Sequence, residues 1–321
     1  MNNYQIFALK SLRKVYCTIF NAKKEVKPEC IQDADKASQI IYDALIADKP
    51  CMIGRFGSNE LLCITTYLGV KENNRNILSY IVGKSNAWWW NEHNLENMHI
   101  VAGFFPSEKS EYEKFCELML EDIPEVDVLG SWLADESVFN KELEYSAKIN
   151  FELLNPYFSI IPWTKALEGK KVLVVHPFVT TIENQYKKRE FLFRDNLLPI
   201  FELQTVKAVQ SYAKNPTQFS DWFAALDYMK SEIDKHDYDI CLIGCGAYGF
   251  PLAAHVKRKG KKAIHLGGSL QLLFGISGKR WEDANYNSFY NYAKLINESW
   301  VKPGKEEKPK NASIVEGACY W

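Results

Sequence analysis

From residue 33 onward the chain alternates between two hydrophobic periods. Apolar positions at helical spacing over 33–48 give way to a continuous apolar run at 51–54, and helical spacing resumes near Ser58. Apolar runs at 99–105 and 126–130, separated by a helical pattern at 108–121, predict two further strands. The second half alternates more clearly: strand 171–176, helix 182–196, extended 201–209, helix 219–235, strand 239–243, helix 249–259 and strand 262–266. Short apolar strands with no polar face, each separated from the next by a helix, predict an α/β fold: a Rossmann-like, mostly parallel sheet with helices on both faces.

The ends of the chain depart from this pattern. Residues 1–29 carry six basic and two acidic residues, and Phe7, Leu12, Tyr16, Ile19 and Phe20 share one helical face. Such a helix suits either docking on its own domain or the surface of an anionic membrane. After Trp300, "KPGKEEKPK" reads as an extended, charged surface segment, whereas the closing "VEGACYW" is apolar enough to dock back. The expected organisation is a basic N-terminal helical arm (1–29), one α/β domain (30–300) and a C-terminal tail (301–321).

Composition narrows the partners. With 39 basic against 40 acidic residues, the net charge of −1 gives no global field that would favour nucleic acid, so any anion site must be local. Eight cysteines show neither a Cys-x-x-Cys pair nor zinc-like spacing, and several sit in apolar runs, which predicts free thiols in a reducing interior. The longest stretch free of Asp, Glu, Lys and Arg, residues 240–256, is broken by three glycines and a proline and fails as a membrane span. Lys10, Arg13 and Lys14 interrupt the first apolar positions, so no secretory signal is read. The expected location is the cytoplasm, with the arm offering peripheral contact at the inner face of the membrane.

Chemistry concentrates first in "YDICLIGCGAYGFPLAAHVKRKGKKAIHLGG". Gly244-x-Gly246-x-x-Gly249 follows a predicted strand and opens a predicted helix, whose first turn accommodates Pro251. Glycines there let backbone approach a ligand, and a helix N-terminus favours a pyrophosphate; a tight turn with no ligand would use the same residues. A dinucleotide site also calls for an acidic side chain after the next strand to hold the ribose. None stands between Gly260 and Gly278, which disfavours NAD and S-adenosylmethionine and leaves a nucleoside diphosphate joined to another group. Gly267 and Gly268 offer a second cluster of backbone donors. Tyr248 and His265 lie at strand ends within reach of a ligand, His265 as a proton or hydrogen-bond donor or simply bonded locally. Arg280 carries the planar fork that suits phosphate oxygens.

The second concentration is "GRFGSNELLC", residues 54–63. Arg55 to Glu60 fall at the carboxyl end of a predicted parallel strand, the edge where open α/β sheets bind ligands and where the glycine loop also lies. Ser58 as a helix cap, with Glu60 facing the dipole, would explain part of the pattern for about 0.3–1 kcal/mol. Capping needs no arginine, however, so Arg55, Gly57, Ser58 and Glu60 read together as a ligand corner. Two further strand ends offer candidates. His176 precedes Thr180, Thr181, Glu183 and Gln185, and is read as either the base that activates an acceptor hydroxyl or a cap on the next helix. After Gly130, Asp135 or Glu136 offers a base and Trp132 a platform for a sugar ring; an ordinary loop with a packed tryptophan is the rival.

The stretch "GRFGSNE" resembles the Arg-Phe-Gly-Asp-Gly-Glu motif of the bacterial GT-D glycosyltransferases, and "GCGAYGFPLAAHVKRKGKKAIHLGG" resembles their distal glycine-rich βα unit. The match runs in order over roughly residues 35–280. The resemblance implies a Rossmann-like sheet, transfer of a sugar from a nucleotide donor, and an Asp-X-Glu motif linked to a divalent metal, Mg²⁺ or Mn²⁺. Arg55, Phe56, Gly57 and Glu60 match by position, so Glu60 inherits the catalytic and metal-linked role. Ser58 stands where the motif has aspartate and Asn59 where it has glycine, which leaves one carboxylate and less charge for a cation. The implied activity is transfer from a nucleotide sugar to a glycan, polysaccharide or lipid-linked acceptor. Its rivals are another nucleotide-dependent enzyme, such as a dehydrogenase or methyltransferase, and a non-catalytic glycan-assembly protein.

Overall fold

The protein is described by a computed structural model covering residues 1–20, 28–72, 75–287, 289–315 and 317–321. Part of the basic arm (21–27) and Glu316 of the closing segment therefore lie outside the described residues. The first half contains α1 (Asn3–Ile19), α2 (Ala34–Ile46), β1 (Cys51–Gly54), α3 (Ser58–Glu72), α4 (Ile77–Ile81), α5 (Glu92–Ile100), α6 (Lys109–Asp122), β2 (Val128–Ser131) and β3 (Ala147–Asn150). The second half contains β4 (Lys171–His176), α7 (Val179–Tyr186), α8 (Arg189–Leu192), β5 (Glu202–Lys207), α9 (Trp222–Ile233), β6 (Ile240–Ile243), α10 (Gly249–Arg258), β7 (Lys262–His265), α11 (Leu270–Leu273) and α12 (Lys279–Glu282).

The seven strands form one sheet in the order β3-β2-β1-β7-β6-β4-β5, every neighbouring pair parallel. Successive side chains on each strand feed opposite faces, as the period of two requires. Cys51, Ile53, Ile240 and Leu242 enter one core with Ala37 and Ile41 of α2 and Ile182 of α7. Met52, Cys241 and Ile243 enter the other with Ile64 of α3, Phe115 of α6, Trp222 of α9 and Leu252 of α10. Burial on both faces explains why the strands lack polar alternation, and each fully buried Leu or Ile adds about 1.5–3 kcal/mol. All eight cysteines are free thiols. Among the described residues, no helix is long and apolar enough to cross a membrane.

Several elements differ from the sequence expectation. The apolar run at 99–105 is not a strand: it holds the last turn of α5 and then irregular chain whose Phe104 is buried among Tyr112, Phe115 and Trp222. A short continuous apolar run does not by itself distinguish a strand from buried irregular chain. The helix expected at 182–196 starts earlier, breaks after Tyr186, and stops before Asp195 and Asn196, which adopt positive φ. The edge strand β3, only four residues long and half-buried, escaped the pattern.

The tail is also corrected. In place of an extended surface segment, "KPGKEEKPK" contains a short 3-10 turn that buries Glu307. Its carboxylate accepts the backbone N–H groups of Thr180 (2.9 Å) and Thr181 (3.2 Å), the hydroxyl of Thr181 and the N–H of Gly304, and so caps the positive end of α7. The final residues pack inward, with Trp321 against Phe178 and Tyr212. At the other end, α1 rests on α4 through Ile6, Leu9 and Arg13, whose guanidinium lies 4.6 Å from the centre of the Tyr80 ring. The apolar face read from the sequence is not the docked one.

Candidate functional site

A parallel sheet delivers every strand's carboxyl end to one edge. Because β1 and β7, the first and last strands, are neighbours at the middle of the sheet, the earliest and latest ligand-facing loops meet there. The edge opens into a cavity of about 440 Å³ lined by segments that follow six of the seven strands. Arg55, Gly57, Ser58, Asn59 and Glu60 come from β1; Trp132 from β2; His176 from β4; Gln210, Ser211 and Tyr212 from the chain after β5. Gly244, Gly246 and Tyr248 follow β6, His265 ends β7, and Gly268 and Arg280 follow it. The separated motifs thus border the same hollow, whereas Gly249, Gly267 and Asp135 do not line it.

The corner after β1 is built around a helix start. Leu61 donates its N–H to the Gly57 carbonyl (2.9 Å), so Ser58 is the first residue of α3 and does not cap it. The first N–H groups of a helix lack intrahelical partners. Glu60 folds its carboxyl back toward its own N–H and over Gly57, where a Cβ would stand 2.0 Å from Oε2 and would displace the carboxyl from this position. Desolvation raises the pKa of Glu60, outweighing the pull of its own N–H and of the Arg55 guanidinium. Arg55 donates to the Phe56 carbonyl (3.2 Å) and lays its guanidinium on Gly267. Gly267 has φ of +65°, and a Cβ there would come within 2.2 Å of Arg55 Nη2.

The other glycines serve the same purpose more than the sequence indicated. A Cβ on Gly249 would meet the His265 imidazole at 2.1 Å, and one on Gly268 would meet the Tyr320 ring at 2.2 Å. Gly244 lets its loop pack on the Gly267 carbonyl, His176 and Leu270. Gly246 differs: it adopts φ of +61°, borders the cavity, and a Cβ there would meet nothing closer than 3.7 Å. Tyr248 also reaches the cavity wall, yet its hydroxyl is engaged by Ser211 Oγ (2.8 Å) and its ring stacks on Trp222.

The two histidines are fixed in different ways. His176 is buried, and its Nδ1 accepts the Phe178 N–H (3.0 Å) at the start of α7, so its remaining proton sits on Nε2. Burial lowers its pKa to about 3. A neutral ring whose Nδ1 lone pair is taken by the Phe178 N–H has no free position to accept a proton; the local role read from the sequence accounts for the residue, and the base role does not. Burial first, and Arg55 second, lower the His265 pKa to about 3 as well. Its Nδ1 is buried without a hydrogen-bond partner and packs against Gly249, which does not line the cavity.

The loop after β2 divides. Asp135 is exposed, and Glu136 is buried with its carboxylate accepting from Trp132 N–H, Leu133 N–H (both 2.9 Å) and Ser131. Neither presents a base to the cavity. Trp132 does face it, with its indole N–H anchored on the Phe56 carbonyl (3.1 Å). Opposite chemistry comes from Arg280, which lies over the rings of Tyr286 (5.8 Å) and Tyr320 (5.0 Å). Gln210, Ser211, Tyr212, Tyr286 and Tyr320 also line the site, and the sequence reading did not single them out. Only Tyr320 left a signal, in the apolar ending of the chain.

A divalent cation held by this chain would need several acidic, histidine or cysteine donors. Among the described residues, Glu60 is the sole carboxylate lining the cavity, and no group of three such side chains is placed to hold a metal. The residues present do not fit a protein-held metal centre.

Comparison with known proteins adds little. No family model matches the chain, and no curated protein matches it. A solved structure of domain of unknown function 1792 (DUF1792) aligns with a TM-score of 0.40 at 14% sequence identity, covering 92% of this chain and 100% of that one.

Proposed function

We propose that the cavity binds a nucleotide sugar through its diphosphate and that the protein transfers the sugar to a glycan or lipid-linked acceptor. The observation that carries this reading is the convergence of Arg55, Arg280 and the Gly246 turn on one cavity. Guanidinium forks and unpaired backbone N–H groups at helix starts are the groups that hold phosphate oxygens. Tyr286, Tyr320 and Trp132 supply flat apolar walls suited to a base or sugar ring.

In the proposed reaction the bond between the anomeric carbon and the diphosphate oxygen breaks, and its electron pair leaves with the diphosphate. The acceptor hydroxyl oxygen forms the new bond and gives up its proton. Glu60 receives that proton: it is the cavity's carboxyl, and its raised pKa brings it nearer to a working base. Arg55 and Arg280 offset charge that grows on the leaving diphosphate, which favours the transition state over the intact donor. No step is assigned to a metal.

The test is calorimetric titration of UDP-, GDP- and CMP-sugars, with release of free nucleotide followed in parallel. At least one donor is expected to bind wild type, with Arg55→Ala weakening it about 10- to 100-fold, the range of a lost charge-assisted hydrogen bond. Glu60→Gln is expected to keep donor affinity and lose turnover. Binding of NAD or S-adenosylmethionine in place of every nucleotide sugar would move the protein to another enzyme class. Glycan binding with no nucleotide binding would mark an assembly protein.

A further inference from the structure

The N-terminal helix presents a surface that the cavity does not explain. Along α1, Tyr4 (87% exposed), Phe7 (72%), Val15 (55%) and Ile19 (68%) recur at helical spacing on the side away from the docked Ile6, Leu9 and Arg13. Leu12 extends this stripe, whereas Phe20, past the end of the helix, packs against Tyr16. Exposed apolar side chains aligned in this way along one face of a helix mark an interaction site.

Charge identifies the occupant. The sequence of α1 contains no Asp or Glu, while Lys10 and Lys14 stand exposed one turn apart beside Phe7. Residues 1–29 carry six basic and two acidic residues in a chain whose net charge is −1, so the remainder of the protein is net acidic. An apolar stripe flanked by lysines is complementary to a bilayer whose headgroups are anionic and whose acyl boundary accepts Phe, Tyr and Ile.

We propose that α1 is a membrane-surface anchor: its outer face inserts into the interface of an anionic bilayer while its inner face stays docked on α4. The docked contacts hold the stripe in place before binding, so the bilayer meets a preformed helix.

Full-length protein is tested by flotation with vesicles of phosphatidylcholine containing phosphatidylglycerol, and with phosphatidylcholine alone. Wild type is expected to float with the anionic vesicles and to be released by salt. Lys10→Gln with Lys14→Gln is expected to reduce partitioning about 30-fold at low salt, each surface lysine counting for about fivefold. Phe7→Gln with Ile19→Gln is expected to abolish flotation. These side chains are exposed, so both variants are expected to keep the wild-type melting temperature, which is measured alongside. Absence of wild-type flotation, equal flotation with neutral vesicles, or unchanged flotation of the variants would overturn the proposal. A wild-type dimer split by Phe7→Gln with Ile19→Gln would also overturn it and assign the stripe to a second copy of the chain.

Discussion

Replacing Gly249 with alanine separates two explanations of the glycine motif. At φ −64° and ψ −39° the residue is helical, so alanine brings no backbone strain and adds at most about 1 kcal/mol of helix propensity. Against this, the new Cβ would lie 2.1 Å from His265 Cε1 and 2.2 Å from Nδ1, where non-bonded carbons need about 3.5–4.0 Å. The imidazole is buried and must shift, and overpacking of this kind costs about 1–3 kcal/mol. The expected net loss is about 1–2 kcal/mol. In a His265→Ala background the obstruction is gone, and the same substitution becomes neutral or slightly stabilising. Urea unfolding of the four proteins should therefore give a coupling energy of about 2 kcal/mol at unchanged m-value. Equal cost of Gly249→Ala in both backgrounds would refute the reasoning. Loss of nucleoside diphosphate binding on adding Gly249→Ala to His265→Ala would do so from the other side, by returning Gly249 to a phosphate cradle.

Two further outcomes follow from buried carboxylates. Glu307→Ala strips the acceptor from Thr180 and Thr181 at the start of α7 and is expected to cost about 2–4 kcal/mol, read by thermal melting, with Glu307→Gln recovering part of the loss. Asp122 is buried beside Arg258, and desolvation raises its pKa to about 6 despite that partner. A folded pKa above the unfolded value of 3.8 means that the native state holds its proton longer, so this contribution to stability is present below pH 4 and is lost as pH rises through 6. Wild type is expected to lose on the order of 3 kcal/mol relative to Asp122→Asn between pH 4 and pH 7; parallel pH profiles would show that Asp122 does not titrate there.

Where burial was two-sided, the sequence was readable. Strands β1, β4, β6 and β7 are continuous apolar runs with helices between them, and their parallel pairing follows from that alone. Where burial was mixed, it was not. The run at 99–105 is apolar because Phe104 fills an aromatic cluster, a tertiary fact with no local period. Glu307 lies in a stretch whose composition is that of solvated chain, yet a helix start lies beside it and removes it from water. The cavity shows the same division: Arg55, Glu60 and the glycine loop stand at recognisable strand ends, whereas Gln210, Tyr286 and Tyr320 arrive by routes that no spacing encodes.

The glycines show why motif and mechanism need to be distinguished here. In the motif that "GRFGSNE" resembles, an aspartate precedes the glutamate by two positions; Ser58 removes that charge, and burial of Glu60 over Gly57 weakens the second. Arg55 makes no ion pair among the described residues and is seated on Gly267, a residue whose missing Cβ and positive φ both serve that placement. Arg280 is seated on tyrosine rings, one of them contributed by the penultimate residue of the chain. The final residues, which hold Tyr320 against Gly268 and Arg280, therefore build the cavity wall as much as the glycine loop does.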